Sequence, residues 1–192
     1  MFVHDLTPIT ALGGATPQVE TVGTVTLSEN PGLALASVMA RVGFETDCAK
    51  HLADLLDGDA PGPGKCRLHD PEAAFWLGPD QWMVGAPYDT HETLASDLKT
   101  RFGNTASITE QSDAWVCYDL RGAGMETVME LCCNLNIRAM QTGDAQRTSI
   151  HHLGCFVLRR DPEDWVRILG PRSSAGSLHH ALKTAMVSAE LL

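Results

Sequence analysis

Apolar residues along this chain recur with two spacings, the alternation expected of strands and the three-to-four-residue period of amphipathic helices. "LALASVMARVG", from Leu33, reads as a strand. With Thr46 or Asp47 as cap, Cys48, Leu52, Leu55 and Leu56 then share one helical face, and Gly58 stops that helix. "DGDAPGPGK" is a loop, rich in residues that break regular structure. "AFWLGPDQWMV" sets two short apolar runs around Pro79-Asp80, with proline at the turn position that suits its fixed φ, and predicts a hairpin. Leu94, Leu98 and Phe102 space a second helix, capped near Asp89-Thr90 and closed by Gly103.

The second half repeats this order. Trp115–Leu120 is a strand, and Met125, Val128, Met129, Cys132 and Leu135 form the apolar face of a helix. "QRTSIHHLGCFVLRR" reads as one long extended run that Asp161-Pro162 turns into "DWVRIL". The last helix follows Pro171, with Ser173 or Ser174 as cap, and buries Leu178, Leu182 and Met186. Both hairpins carry a tryptophan just after an acidic, proline-containing turn, which makes Trp82 and Trp165 equivalent positions of an internal duplication.

Two copies of strand–helix–hairpin–helix imply an α+β fold of two ferredoxin-like units in tandem, with mixed or antiparallel sheets and helices on one face. Residues 1–30, with Gly13-Gly14, Pro8 and Pro17, read as an extended lead-in holding one strand at Val22–Leu27. Residues 31–192 would then be a single domain of two related halves, about 31–105 and 106–192.

Composition narrows the possible roles. A 44% apolar and 20% charged chain of 192 residues suits a globular protein with a real core, and no apolar run approaches the roughly 20 residues that span a bilayer. "MFVHDLTPIT" has neither the basic start nor the apolar stretch of a secretory signal, so a cytoplasmic protein is expected. Cys132 and Cys133 adjoin within an apolar helical pattern, which argues for reduced thiols rather than a disulfide framework. The net charge of −10 argues against a nucleic-acid partner. It is uneven: residues 1–100 hold 14 of the 24 acids but only 5 of the 14 bases.

Several residues invite a chemical role. Gly122 and Gly124 between a strand and a helix begin a Gly-x-Gly-x-x-Gly phosphate loop, with Asp144 at a plausible ribose-binding distance, but Thr127 stands where the third glycine belongs. A plain strand-to-helix turn explains the two glycines better. His151, His152 and Cys155 suggest a metal, yet neighbours on a strand point to opposite faces, and His179 and His180 on a helix diverge by about 100°. Cys117 and Cys132 fall at core positions and no Gly-x-Ser-x-Gly elbow is present. Glu110, Asp113 and Asp119 could form a carboxylate cluster, although solvated strand-end acids are as simple a reading. No catalytic, cofactor-binding or metal-binding residue is therefore assigned.

"AAFWLGPDQWMV", "ITEQSDAWVCYDLRGAGMETVMELCCNLNI", "RTSIHHLGCFVLRR" and "WVRILGPRSSAGSLHHAL", in this order and spacing, resemble the gamma subunit of heterotetrameric sarcosine oxidase. The resemblance runs from about Leu33 to Leu182. It departs at Gly122-Ala123-Gly124-Met125, where the family often has Gly-Pro-x-Ala, and at Ser174, which replaces the usual aromatic. It implies the folate-binding fold of the glycine-cleavage aminomethyltransferase. It also implies an accessory part in oxidative demethylation of sarcosine to glycine, with the methyl carbon going to formaldehyde or tetrahydrofolate. By the same resemblance, FAD, FMN, NAD and tetrahydrofolate belong to the large alpha and beta chains and zinc to the small delta chain. The alpha, beta and delta subunits would be partners, chiefly alpha. A related N-methyl amino acid dehydrogenase complex and a free-standing folate-binding protein are the alternatives. The charge imbalance places the docking face on the near-neutral second half, with Arg138, Arg147, Arg159 and Arg172, and leaves the acidic half, including Asp57 and Asp59, in water.

Overall fold

The computed structural model describes residues 7–69, 71–161 and 164–192. Its elements in chain order are β1 (Val19–Val22), β2 (Val25–Glu29), β3 (Leu33–Ala40), α1 (Glu45–Leu55), β4 (Cys66–Arg67), β5 (Ala73–Gly78), β6 (Gln81–Pro87), α2 (Leu94–Phe102), β7 (Ala106–Glu110), β8 (Trp115–Arg121), α3 (Met125–Cys132), β9 (Ala145–Ile150), β10 (Leu153–Asp161), β11 (Trp165–Pro171) and α4 (Ala175–Ala189). Two antiparallel sheets result, ordered β4-β5-β6-β3-β7 and β1-β2-β8-β11-β10-β9. The α+β class and the tandem ferredoxin-like plan read from the sequence are what the chain adopts. In the first unit β7, β3, β6 and β5 lie side by side, the 4-1-3-2 order of a ferredoxin-like βαββαβ unit.

The second unit reaches the same order by borrowing a strand. After α4 no fourth strand follows; β2, from the start of the chain, pairs with β8 and takes that place, with Leu27 opposite Leu120. The strand expected at Val22–Leu27 is interrupted at Gly23-Thr24, and two strands flank the turn. A ladder of backbone hydrogen bonds and the buried Val25 and Leu27 thus hold this segment in the sheet. Glu20 on β1 bonds Lys183 on α4 at 2.7 Å, tying the hairpin to the last helix.

The layers are helices, sheet, sheet, helices. Ala36, Val38, Trp82, Val84 and Ile108 face α1 and α2, while Tyr118, Leu120, Val166 and Ile168 face α3 and α4. Between the sheets lie Leu35, Phe75, Met83, Phe156, Leu158 and Leu169, with Phe75 and Trp115 packed on Phe156 at ring distances of 5.1 and 5.5 Å. Among the described residues no helix is long and apolar enough to cross a membrane.

The helices form where the apolar spacing puts them, but their caps differ from expectation. Phe44 precedes α1, whose Glu45 carboxylate accepts the Gly43 N–H, and Thr93 rather than Asp89-Thr90 precedes α2. Leu135 lies beyond α3, which ends at Cys132. "QRTSIHHLGCFVLRR" is not one strand: β9 and β10 pair antiparallel, Ile150 opposite Leu153, and His151-His152 form the turn with φ of 47° and 68°. The Asp161-Pro162 turn falls partly outside the described residues.

Trp82 and Trp165 are not equivalent. Each hairpin turn ends on an aspartate with positive φ, Asp80 at 54° and Asp164 at 53°. Trp82 comes two residues after the first and Trp165 one residue after the second. Because strand side chains alternate, that single step puts Trp82 against the helices and Trp165 on the inner face of its sheet.

Candidate functional site

On that inner face, charge takes the place of apolar packing. Asp119 on β8 is buried and stands opposite Arg167 on β11. Arg167 donates Nε–H to Oδ1 at 2.8 Å and Nη2–H to Oδ2 at 2.9 Å. Asn30 Nδ2 donates to Oδ2 at 3.0 Å and Trp165 Nε1 to Oδ1 at 3.2 Å, which satisfies the carboxylate. Burial alone would raise the Asp119 pKa; the hydrogen bonds and charge of Arg167, with Asn30 and Trp165, outweigh it and hold the group below the usual aspartate value. Around the Trp165 ring stand the guanidinium carbons of Arg121 at 3.7 Å, Arg160 at 5.1 Å and Arg167 at 5.8 Å from the centroid. Burial, reinforced by Arg167, lowers the Arg160 pKa.

A second feature is a cavity of about 470 Å³ at the seam of the two units, where the segment around Ile9, the β2–β3 junction and the loop before β8 meet. Its lining includes Glu29, Glu92, Glu110 and Asp113 against Arg172 as its one base. Glu29 is buried and accepts the Leu12 and Gln18 N–H groups, so its charge is locally compensated. The other carboxylates act on Tyr88, whose hydroxyl donates to Glu92 at 3.4 Å and whose pKa is raised first by Glu92, with Asp113 and Glu110 adding to it.

The residues singled out in the sequence do not gather at either place. Gly122 has φ 117°, and a Cβ there would meet the Thr24 carbonyl oxygen at 1.9 Å; a Cβ on Gly124 would meet Val25 Cγ2 at 2.9 Å. The turn of the N-terminal hairpin thus covers the glycine loop where a pyrophosphate would have to lie. Asp144 is engaged elsewhere, pairing with Lys65 and accepting the Gln141 N–H at 2.7 Å. Glu110 and Asp113 share the seam cavity, but Asp119 belongs to the arginine cluster.

The opposite-face argument for His151 and His152 does not apply to a turn. Both are exposed, and His151 lines a shallow groove with His180, Cys132 and Leu131, whereas His179 faces Glu20. Among the described residues no three His, Cys, Asp or Glu side chains are grouped to hold a metal ion. All six cysteines are free, and burial pushes the Cys117 and Cys132 thiols up to about 12, far from the thiolate needed for nucleophilic attack.

The arginines expected to dock a partner are mostly engaged within the chain. Arg138 bonds Glu126 and Glu130, Arg159 is buried against Glu126, and Arg172 donates to the Ile9 carbonyl at 3.3 Å. Arg147 lies 5.8 Å from the Phe156 ring. The cluster around Trp165 escaped the sequence reading because only the β8–β11 register brings Arg121 opposite Trp165.

No protein-family model and no curated protein matches the chain. Among solved structures, it is similar to a chain of the heterotetrameric sarcosine oxidase from Corynebacterium sp. U-96 in complex with pyrrole 2-carboxylate, with 23% identity, 89% of each chain covered and a TM-score of 0.76. It is also similar to the glycine cleavage system aminomethyltransferase T from Bartonella henselae, with 15% identity, 83% of this chain covered and a TM-score of 0.62. The match spans 45% of the aminomethyltransferase chain, so this chain corresponds to about half of that protein. At these identities the likeness establishes the fold: the chain has the aminomethyltransferase-like α+β architecture that both proteins contain.

Proposed function

We propose that this chain is the gamma-type accessory subunit of a heterotetrameric sarcosine oxidase, and that the assembled complex oxidises sarcosine to glycine, with the methyl carbon passing to formaldehyde or tetrahydrofolate. The observation that carries this reading is the extent of the likeness: 89% of both chains superpose in the sarcosine oxidase case, against 45% of the aminomethyltransferase. The four ordered sequence segments from Ala73 to Leu182 support it independently. The chain's polar groups agree with such a role. Asp119, Glu29 and Arg159 satisfy one another or the backbone instead of converging on a space where a reacting atom could sit. FAD, FMN, NAD and tetrahydrofolate would then reside on partner subunits, which carry the redox chemistry.

Purification of the tagged chain from its native cell tests this. Flavin-containing chains should co-purify in fixed stoichiometry, and the preparation should form peroxide from sarcosine, while the chain expressed alone should be colourless and inactive. A chain that elutes alone, or a complex that oxidises only another N-methyl amino acid, would refute the assignment.

A free-standing folate-binding protein is the second reading, favoured by a seam cavity of a size that admits a small molecule. Its lining weighs against it, because Glu92, Glu110 and Asp113 repel the carboxylates of a folate and only Arg172 offsets them. Micromolar binding of tetrahydrofolate to the isolated chain would establish this reading instead.

A further inference from the structure

We infer that Arg121 and Trp165 form the centre of a docking surface that receives an acidic segment of a partner chain; the inference rests on the reading of this protein as a subunit. The packing between the two sheets reaches Leu169, Phe156 and Leu158. Farther along the same face of the second sheet come Asp119 and Arg167, and then Arg121 and Trp165. There Arg121 is exposed and Trp165 half-buried. The face continues past the shelter of the first sheet and ends in arginine and tryptophan, the residue types that dominate the binding energy of protein interfaces.

The chemistry of the patch selects its occupant. Three guanidinium groups surround one indole ring, and among the described residues the one carboxylate bonded to the cluster is Asp119. Both Asp119 oxygens are already taken by Arg167, Asn30 and Trp165. Arg121 makes no ion pair among the described residues, so its planar fork is open to a carboxylate while its flat face rests on the ring. The patch therefore carries local positive charge on a chain of net charge −10. That overall charge repels a long polyanion such as nucleic acid but admits a short acidic segment approaching this face.

The surface is also held ready. Trp165 is fixed by its Nε1–H bond to Asp119, and Asp119 is fixed in turn by the two-pronged contact with Arg167. Little side-chain freedom remains to be lost when a partner arrives. Arg138, equally basic but already bonded to Glu126 and Glu130, lacks this readiness and serves as the comparison.

The test uses the tagged full-length chain produced in its native cell in place of the resident copy, as wild type, Arg121→Glu, Arg121→Ser and Arg138→Glu. Each variant's melting curve is checked first. Arg121→Glu should recover the partner about tenfold less than wild type, Arg121→Ser should fall between, and Arg138→Glu should match wild type. In the Arg121→Lys complex, a zero-length carbodiimide reagent should join the new amine to an Asp or Glu of the partner. Full partner recovery by Arg121→Glu and Arg121→Ser, or release of the partner by nuclease, overturns the docking surface and leaves the subunit reading intact. A wild-type chain that elutes alone overturns both.

Discussion

Asp119 and Arg167 face each other across neighbouring antiparallel strands and are joined by two N–H···O contacts of 2.8 and 2.9 Å, with side chains only 7% and 11% exposed. Removing one member of such a pair strands the other charge in a poorly hydrated place. Asp119→Ala should therefore cost about 3–5 kcal/mol of unfolding free energy. The double variant Asp119→Leu/Arg167→Met should lose less than the two single losses together, because it leaves no orphan charge. Urea titrations of the four proteins measure this, and additive losses would mean that the two residues act independently.

The same pair sets a pH dependence. The Asp119 pKa is lowered in the folded chain, so its stabilisation is present in full above the ordinary aspartate value of about 3.9 and is lost as pH falls through the folded value. In Asp119→Asn the group cannot ionise. The stability gap between wild type and Asp119→Asn should be constant from pH 7 to 5 and should narrow below about pH 4. Denaturant midpoints at several pH values give the comparison; a gap that widens in acid would contradict the sign of the shift.

Gly122 is required by its surroundings rather than by a phosphate. Its φ of 117° belongs to glycine, and a Cβ would collide with the Thr24 carbonyl oxygen. Gly122→Ala should destabilise by about 2–4 kcal/mol and should loosen the N-terminal hairpin, read as faster amide exchange at Val25 and Leu27. An unchanged melting curve would mean that the hairpin is not seated there.

What the sequence discloses and what it hides divide along a physical line. Leu52, Leu98 and Leu182 lie on helices because helical spacing is local, and β3, β6 and β8 are legible from their own apolar runs. Sheet order is not local. Nothing in residues 19–29 says that Leu27 will sit opposite Leu120 and fill the fourth-strand place of the second unit. The two tryptophan hairpins look alike in composition, yet one residue of difference after the turn sends Trp165 to the inner face, where it meets Arg121 and Asp119. The arginine cluster is a consequence of that register, so the sequence pointed instead to Arg138, Arg159 and Arg172, which are engaged within the chain.

The turn between β9 and β10 supplies the last prediction. A two-residue hairpin loop with both φ values positive favours Asn-Gly, because those residues enter the left-handed region at low cost, whereas imidazole side chains do so with strain. Here His151 and His152 take φ of 47° and 68°, and their rings stand 5.8 Å apart, too loosely to repay the backbone. Both side chains are exposed, so no packing is lost on replacement. The pair His151→Asn and His152→Gly should raise unfolding free energy by about 1–2 kcal/mol, with the unfolding rate slowed if the turn opens early. Urea unfolding at pH 7 provides the number. A loss of stability would show that the imidazoles hold this turn through contacts stronger than the strain they impose.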